Sequence, residues 1–317
     1  MDNKMPEQYI PSQHDSEIDL RELFAVLWAS KIKIVAITTI CAIVSVFYAL
    51  SIPNQYKATV LVSPAKSPGG GITGALGSLG GLANLAGVSM GGGSSEAQVA
   101  KEIMRSWSFI ESFIENNNLA VGLSAAYGWD KAANKLLINT DTYDPESEKW
   151  LSDAGMPSSW ALYKAFSGRL TVSTYGKSGL LSVSIEYYSP LIAKQWLDLY
   201  IAAINEHMQK REMAKVTRNI EYLQAQIKKT NIAEMQEVFY TIIEEQIKSK
   251  MLAEASPEYA FVAVSPSMVP AEKSQPRRSS ICILGTLLGG MLSVLLVLLM
   301  HYGRKLAAYF KAFNLGA

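Results

Sequence analysis

Charge is scarce in this sequence. Charged residues make up 18% of the 317 residues, and Lys+Arg 29 nearly balance Asp+Glu 28. A typical soluble domain carries about 25% charged residues. The near-neutral balance lacks the basic excess of a nucleic-acid-binding protein, and the 49% apolar content argues against intrinsic disorder. We therefore expect no nucleic-acid partner and a chain whose uncharged residues are concentrated in particular segments.

Cysteine and histidine are also scarce, with two Cys and three His residues. Cys41 and Cys282 cannot form a disulfide framework, and no HExxH, CxxC or GxSxG motif supports zinc or acyl-transfer chemistry. The acidic cluster at residues 141–148 surrounds Pro145 and is typical of a solvated loop, with a paired-carboxylate glycosidase site as the alternative. We predict a non-enzymatic protein with no catalytic residue, no metal and no cofactor.

Two stretches, residues 34–52 and 281–302, contain no charged residue. As helices they would reach roughly 28 and 33 Å, close to the ~30 Å hydrocarbon core of a bilayer. Since backbone amides find no water in that core, each stretch should be a transmembrane helix. A cleaved signal peptide is the alternative for the first stretch, but 33 residues precede it and it exceeds a typical h-region of 7–15 residues. A buried core helix is the alternative for the second, which lacks a polar face.

Two spans divide the chain into five parts. They are a tail at 1–33, a span at 34–52, a loop domain at 53–276, a proline/arginine approach and second span at 277–302, and a tail at 303–317. Both tails lie on the same side of the membrane. The basic residues near the spans are almost equally shared between tails and loop, so charge alone does not orient the protein.

Alternating apolar and polar residues in the loop domain predict strands at 56–63, 169–174, 180–187 and 259–264. The second and third would form a hairpin around Gly176-Lys177-Ser178, which we interpret as a turn and not as a phosphate-binding loop. The first and last should pair near the membrane. A helix is expected at 96–116. Residues 67–93 hold half of the 22 glycines and predict a flexible low-complexity loop, not a dinucleotide site, although Gly69, Gly71 and Gly74 match GxGxxG.

Ser189-Pro190 is a typical helix start, and no glycine or proline follows until about residue 255. An unbroken helix over about 190–255 would approach 100 Å. Because a domain of this size cannot cover such a rod, its apolar stripe should face neighbouring copies of the chain. A bend at Thr230-Asn231, or two helices packed in one compact domain, is the alternative. The predicted oligomer seam consists of Ile220, Leu223, Ile227, Met235, Val238, Ile242 and Ile247.

Two further features concern the second span. Gly285, Gly289 and Ser293 recur every four residues, and small residues at this spacing allow close helix–helix packing. Pro266, Pro270 and Pro276 predict an extended approach to the span. We expect these residues to couple the spans to the external domain.

The order of these parts resembles the Wzz-type chain-length determinants, which are polysaccharide co-polymerases. The resemblance is carried by EIDLREL at 17–23 with Trp28, SWSFI at 106–110, EMQEVFY at 234–240, MLA at 251–253, YAF at 259–261, the prolines at 266, 270 and 276 with Arg277-Arg278, and Gly285 and Gly289. Members that append a tyrosine kinase carry a Walker motif, which we do not expect in the 15 residues after Tyr302.

The resemblance implies an α+β periplasmic domain with a very long protruding helix, anchored by two transmembrane helices. It implies location in the bacterial inner membrane with both termini cytoplasmic. It also implies a ring-like homo-oligomer that works with a Wzy-type polymerase, in contact with membrane lipid, to set the modal length of a lipid-linked glycan such as the lipopolysaccharide O-antigen. A periplasmic adaptor of a polysaccharide export machine and a two-span ligand sensor are the alternatives.

Overall fold

The computed structural model describes residues 20–65, 92–151, 155–176 and 179–315. Most of the glycine-rich stretch, including Gly69, Gly71 and Gly74, lies outside these ranges, as do Lys177 and Ser178. The chain divides into two compact units, one of Met1–Ile52 with Arg277–Ala317 and one of Pro53–Pro276.

The helices and strands follow one another in this order: α1 Leu20–Ala29, α2 Lys31–Ser51, β1 Tyr56–Pro64, α3 Gly92–Arg105, α4 Trp107–Asn116, α5 Ala120–Ser124, β2 Ala126–Asp130, β3 Lys135–Ile138, β4 Tyr143–Asp144, β5 Lys149–Trp150, α6 Ser159–Ser167, β6 Leu170–Tyr175, β7 Leu180–Tyr187, α7 Pro190–Lys229, α8 Ala233–Glu254, β8 Phe261–Ser265 and α9 Arg278–Leu315. The predicted mixed α+β architecture with a long helix and two apolar helices is thereby confirmed.

The first unit contains the two apolar helices, α2 and α9. Both are long and apolar enough to cross a membrane, and most of their large side chains are exposed, unlike those of a core helix in a soluble protein. Their hydroxyls donate to carbonyls of the same helix, as Thr38 does to Ile34 and Thr286 to Cys282, both at 2.8 Å. This internal pairing satisfies polar groups that would find no partner in lipid.

The second unit is built on a four-stranded antiparallel sheet in the order β6-β7-β1-β8. The β6–β7 hairpin and the pairing of the last strand with the first confirm the strand predictions. Gly176 and Gly179 have positive φ angles of 57° and 74°, as a tight connection between two strands requires. Alternate residues of β7, among them Val183 and Ile185, are fully buried on the side of the core.

The first half of α7 covers this sheet. Ser189 caps the helix by accepting a hydrogen bond from the Ile192 amide at 3.5 Å, and Pro190 occupies the first turn. Trp196 and Tyr200 are buried, and the Trp196 ring lies 4.3 Å from that of Tyr187 between centroids. The apolar core therefore lies between α7, the sheet and the shorter helices α4 and α6.

The region predicted as one helix over 96–116 is two helices. Ser106 separates α3 from α4, because its backbone is extended and its Oγ accepts a hydrogen bond from the Phe109 amide at 3.4 Å. The short polar side chain thus begins a new helix where the apolar spacing continues without a break.

The range predicted as a long helix over about 190–255 also differs from the expectation. The helix ends at Lys229, Thr230 is extended, and α8 begins at Ala233. Gln209 on α7 donates to the carbonyls of Ala253 and Ser256 at 2.8 and 3.2 Å, so the second helix returns alongside the first. The alternative of two packed helices with a bend at Thr230-Asn231 is therefore what the structure shows, and we call this pair the helical hairpin.

Candidate functional site: paired apolar helices, their approach and the helical hairpin

The small residues of α9 lie against α2. A Cβ atom added at Gly285 would lie 2.5 Å from Ser45 Cβ, and one added at Gly289 would lie 2.4 Å from Cys41 Cβ. Carbon atoms in ordinary contact are about 3.5–4.0 Å apart. The close approach of the two helices therefore requires glycine at both positions.

Ser293 continues the same contact one turn further along α9. Its side chain is fully buried, and its Oγ lies 3.3 Å from Thr38 Oγ1 while donating to the Gly290 carbonyl at 2.7 Å. Because both hydroxyls donate within their own helices, the short distance between the two oxygens marks how closely α2 and α9 approach at this turn. The structure thus brings Gly285, Gly289 and Ser293 together on one face of one helix pair.

The proline-containing segment has neither helix nor strand between β8 and Ser274. Pro266 is exposed, Pro270 is half-buried and Pro276 is buried. Near its end, the Gln55 amide donates to the Gln275 carbonyl at 2.9 Å, and the Ser274 amide donates to the Gln55 carbonyl at 2.8 Å. This pairing, which we call the neck, holds together the two ends of the second unit, just where the chain leaves for α2 and α9.

The predicted seam residues of the helical hairpin divide into two groups. Ile220, Leu223, Ile227 and Ile242 are half-buried, as expected where two helices run side by side. Met235, Val238 and Ile247 are 43%, 52% and 45% exposed. The apolar spacing therefore has two origins. The half-buried residues are consistent with packing inside the hairpin, and the exposed residues leave an uncovered apolar surface.

Two structural residues on α7 have no counterpart in the sequence predictions. Asn205 is 4% exposed. Its Oδ1 accepts from the amides of Ala260 and Phe261 at 2.9 and 2.8 Å, and its Nδ2 donates to the Phe261 carbonyl at 2.9 Å. Together with Gln209 one turn later, it fixes the segment that returns from the hairpin to the sheet. A polar residue amid buried Tyr200, Ile204 and Met208 is the signal that could have revealed it.

The acidic loop around Asp144 is the cluster of titratable groups that the sequence singles out. In the described part of the chain, no cluster of three or more His, Cys, Asp or Glu side chains could hold a metal ion. Asp144, in the acidic loop, accepts hydrogen bonds from Ser147 Oγ at 2.6 Å and from the Glu146 amide at 3.0 Å, which lower the pKa of its carboxyl. These bonds shape a turn.

Known proteins similar to this chain are found by sequence over its first third and among solved structures. Residues 16–117 match the family model of Wzz, described as chain length determinant protein. No curated protein matches the chain. A solved structure of a full-length bacterial polysaccharide co-polymerase is 15% identical over 90% of this chain and 99% of its own, with a TM-score of 0.39. A fragment of WzzB, a polysaccharide co-polymerase from Salmonella Typhimurium, is 15% identical over 70% of this chain and 100% of its own, with a TM-score of 0.32.

The chain thus has a match to the chain length determinant family model over residues 16–117 and two apolar helices that fit membrane anchoring. Because both TM-scores are below 0.5, the resemblance to the family is supported by the sequence match and not by the structures. Over residues 16–117 the chain carries the Wzz chain length determinant domain, which confirms the predicted resemblance to Wzz-type chain-length determinants.

Proposed function

We propose that this protein sets the modal chain length of a lipid-linked surface polysaccharide, most specifically the lipopolysaccharide O-antigen. It would act without catalysis, as a ring-like homo-oligomeric co-polymerase beside a Wzy-type polymerase. The second unit would be periplasmic and both termini cytoplasmic in the bacterial inner membrane. The observation that carries the proposal is the Wzz match over residues 16–117, which includes the first apolar helix.

The proposed oligomer contact is the exposed apolar surface of α8. Met235, Val238, Tyr240, Ile247 and Met251 are all at least 43% exposed. Full burial of one such side chain contributes about 1.5–3 kcal/mol, so a few of them would stabilise association of neighbouring hairpins. Tyr240, Ile247 and Met251 share one side of α8 because they are seven and four residues apart, and an exposed apolar patch of this kind typically marks a protein contact.

The neck and the helix pair support the coupling proposed for the prolines and glycines. Pro276 lies next to Gln275, whose carbonyl accepts from Gln55, and Gly285 and Gly289 follow in the first turns of α9. We propose that this segment transmits the geometry of the oligomer to the membrane-spanning helices. Replacing Gly289 by Leu would then change the distribution of polysaccharide lengths.

A deletion strain tests the function directly. Silver-stained gels of its lipopolysaccharide should show the modal band cluster replaced by a broad distribution at unchanged total amount, and the wild-type gene should restore the cluster. Loss of all surface glycan would instead identify an export adaptor, and an unchanged distribution would refute a role in chain length.

The oligomer surface has its own test. Ile247→Glu introduces a charge into the exposed apolar row, whereas Thr241→Glu introduces the same charge at an exposed polar position of the same helix. In detergent, mass photometry should show the oligomer reduced for Ile247→Glu and retained for Thr241→Glu. Identical oligomers for both variants, or a wild-type protein that is monomeric at every concentration, would contradict the proposed surface.

A further inference from the structure

A cleft of about 300 Å³ lies between α4 and α7 on the second unit. The floor of the cleft is apolar. Phe109 and Phe113 of α4 are 5% and 2% exposed there, and Ala202 and Ala203 of α7 leave the space that larger side chains would fill. The size is at the lower end for ligand pockets, which span about 300–1,000 Å³.

The rims of this cleft are polar on both sides. Ser112 and Asn116 on α4 present a hydroxyl and an amide, and α7 presents Glu206, His207 and Lys210. The Lys210 ammonium lies 2.5 Å from the Glu206 carboxylate, so the two charges offset one another. The residues that line the cleft therefore offer hydrogen-bonding groups, and the two lining charges, Glu206 and Lys210, offset one another.

His207 is held in place by Phe109, whose ring lies 5.3 Å away between centroids at an angle of 73°. Burial, followed by the nearby charges of Arg211 and Lys210, lowers the pKa of the imidazole. A neutral imidazole has one nitrogen that donates and one that accepts, which suits a hydroxyl group that must do both.

The volume of the cleft and its hydrogen-bonding groups favour one class of ligand over others. An anion would find Lys210 already paired, and an amphipathic helix would need a longer apolar groove than a single cleft of this volume. A pyranose ring fits both features, since its C–H face can lie on the apolar floor while its hydroxyl groups bond to the two rims.

We propose that the cleft binds one neutral sugar residue of the polysaccharide, with Ser112, Asn116 and His207 bonding its hydroxyl groups. The inference rests on the proposed function for the nature of the glycan. It assigns to the second unit a direct contact with the polymer whose length it would control.

The test measures binding of delipidated polysaccharide, released by mild acid from the lipopolysaccharide of the native strain, to the full chain in detergent. Ala202→Trp fills the cleft, and Ala214→Trp places the same side chain at an exposed position further along α7. Asn116→Leu removes one rim group at an exposed site, so it reports on the cleft even if the larger substitution impairs folding. Calorimetric titration should show Kd raised about tenfold by Ala202→Trp, about fivefold by Asn116→Leu and unchanged by Ala214→Trp.

Three kinds of result would contradict the sugar site. Equal affinity of all variants, or no binding by wild type, would overturn the sugar site while leaving the role in chain length to the deletion strain. Binding that collapses between 50 and 500 mM salt, as ionic contacts would, would identify an anionic ligand and overturn the neutral-sugar assignment. Altered oligomer size for Ala202→Trp would show that a second copy occupies the cleft and would overturn it as well.

Discussion

The contact between α2 and α9 makes a sharp prediction because two adjacent glycines of α9 meet different surroundings. A Cβ at Gly289 would lie 2.4 Å from Cys41 Cβ, whereas at Gly290 the nearest atoms, in Thr38, are 4.0 Å away. Against an ordinary carbon contact of about 3.5–4.0 Å, Gly289→Ala lacks more than about 1 Å of space and Gly290→Ala lacks none. The first substitution must separate the helices, and the second can be accommodated in place.

The expected loss of stability can be worked out from the contacts that are lost when α2 and α9 separate. A gap of about 0.5–1 Å forfeits a quarter to a half of each dispersion contact. The 3.3 Å contact between Thr38 Oγ1 and Ser293 Oγ would also open. Both variants gain the same helix propensity on exchanging Gly for Ala. We therefore expect Gly289→Ala to be less stable than Gly290→Ala by about 1–2 kcal/mol.

Reversible unfolding by SDS in mixed micelles measures this difference. Energy transfer between dyes at residues 33 and 303, introduced through unnatural amino acids, reports helix pairing and leaves Cys41 and Cys282 in place. Gly289→Ala should unfold at lower SDS than Gly290→Ala, which should match or exceed wild type. Equal midpoints for the two variants would refute the close packing at Gly289.

Three further predictions concern the second unit of the full-length protein. Asn205→Leu should lower the free energy of unfolding by about 2–4 kcal/mol, because the two amides and the carbonyl that it pairs with would be left buried without a partner; Gln224→Leu, on the exposed side of the same helix, should change it little in the same urea titration. Ser106→Ala should cost about 1 kcal/mol through loss of the cap of α4, and an unchanged melting temperature would contradict that role. The lowered pKa of His207 means that the unfolded state binds its proton more readily, so its contribution to stability is present above about pH 6.5 and is lost as the pH falls below it. Melting temperatures at pH 7.5 and 5.5 should therefore differ more for wild type than for His207→Gln.

The sheet could be predicted from the sequence because alternation is a local property. In β7, Leu181, Val183 and Ile185 share a face by their spacing alone, and the turn glycines at 176 and 179 mark where the chain reverses. The two apolar helices could be predicted equally well, since an uncharged stretch of about twenty residues has few alternatives to a helix of this length.

The helix breaks could not be predicted in the same way. Ser106 begins α4 without the acidic residue of a capping box, because Phe109 occupies the third helical position. At Thr230-Asn231 neither glycine nor proline marks the end of α7. The reversal there is decided by burial of side chains far apart in sequence, such as Val216 at 1% and Ile243 at 8% exposure.

This reversal changes the physical reason for assembly. A single helix of about 65 residues would need neighbours to cover its apolar stripe, but in the hairpin Ile220, Leu223 and Ile227 are already half-buried. The hairpin therefore needs no neighbour to cover this stripe, and the exposed apolar side chains of α8, among them Tyr240, Ile247 and Met251, remain for contact in the proposed oligomer. Association would then be an equilibrium between folded chains, so the oligomer fraction would depend on protein concentration. The free energy of association would come from a small number of side chains. If the two apolar helices anchor the protein in a membrane as proposed, even a weak contact of this kind would be populated there, because the chains would be confined to two dimensions.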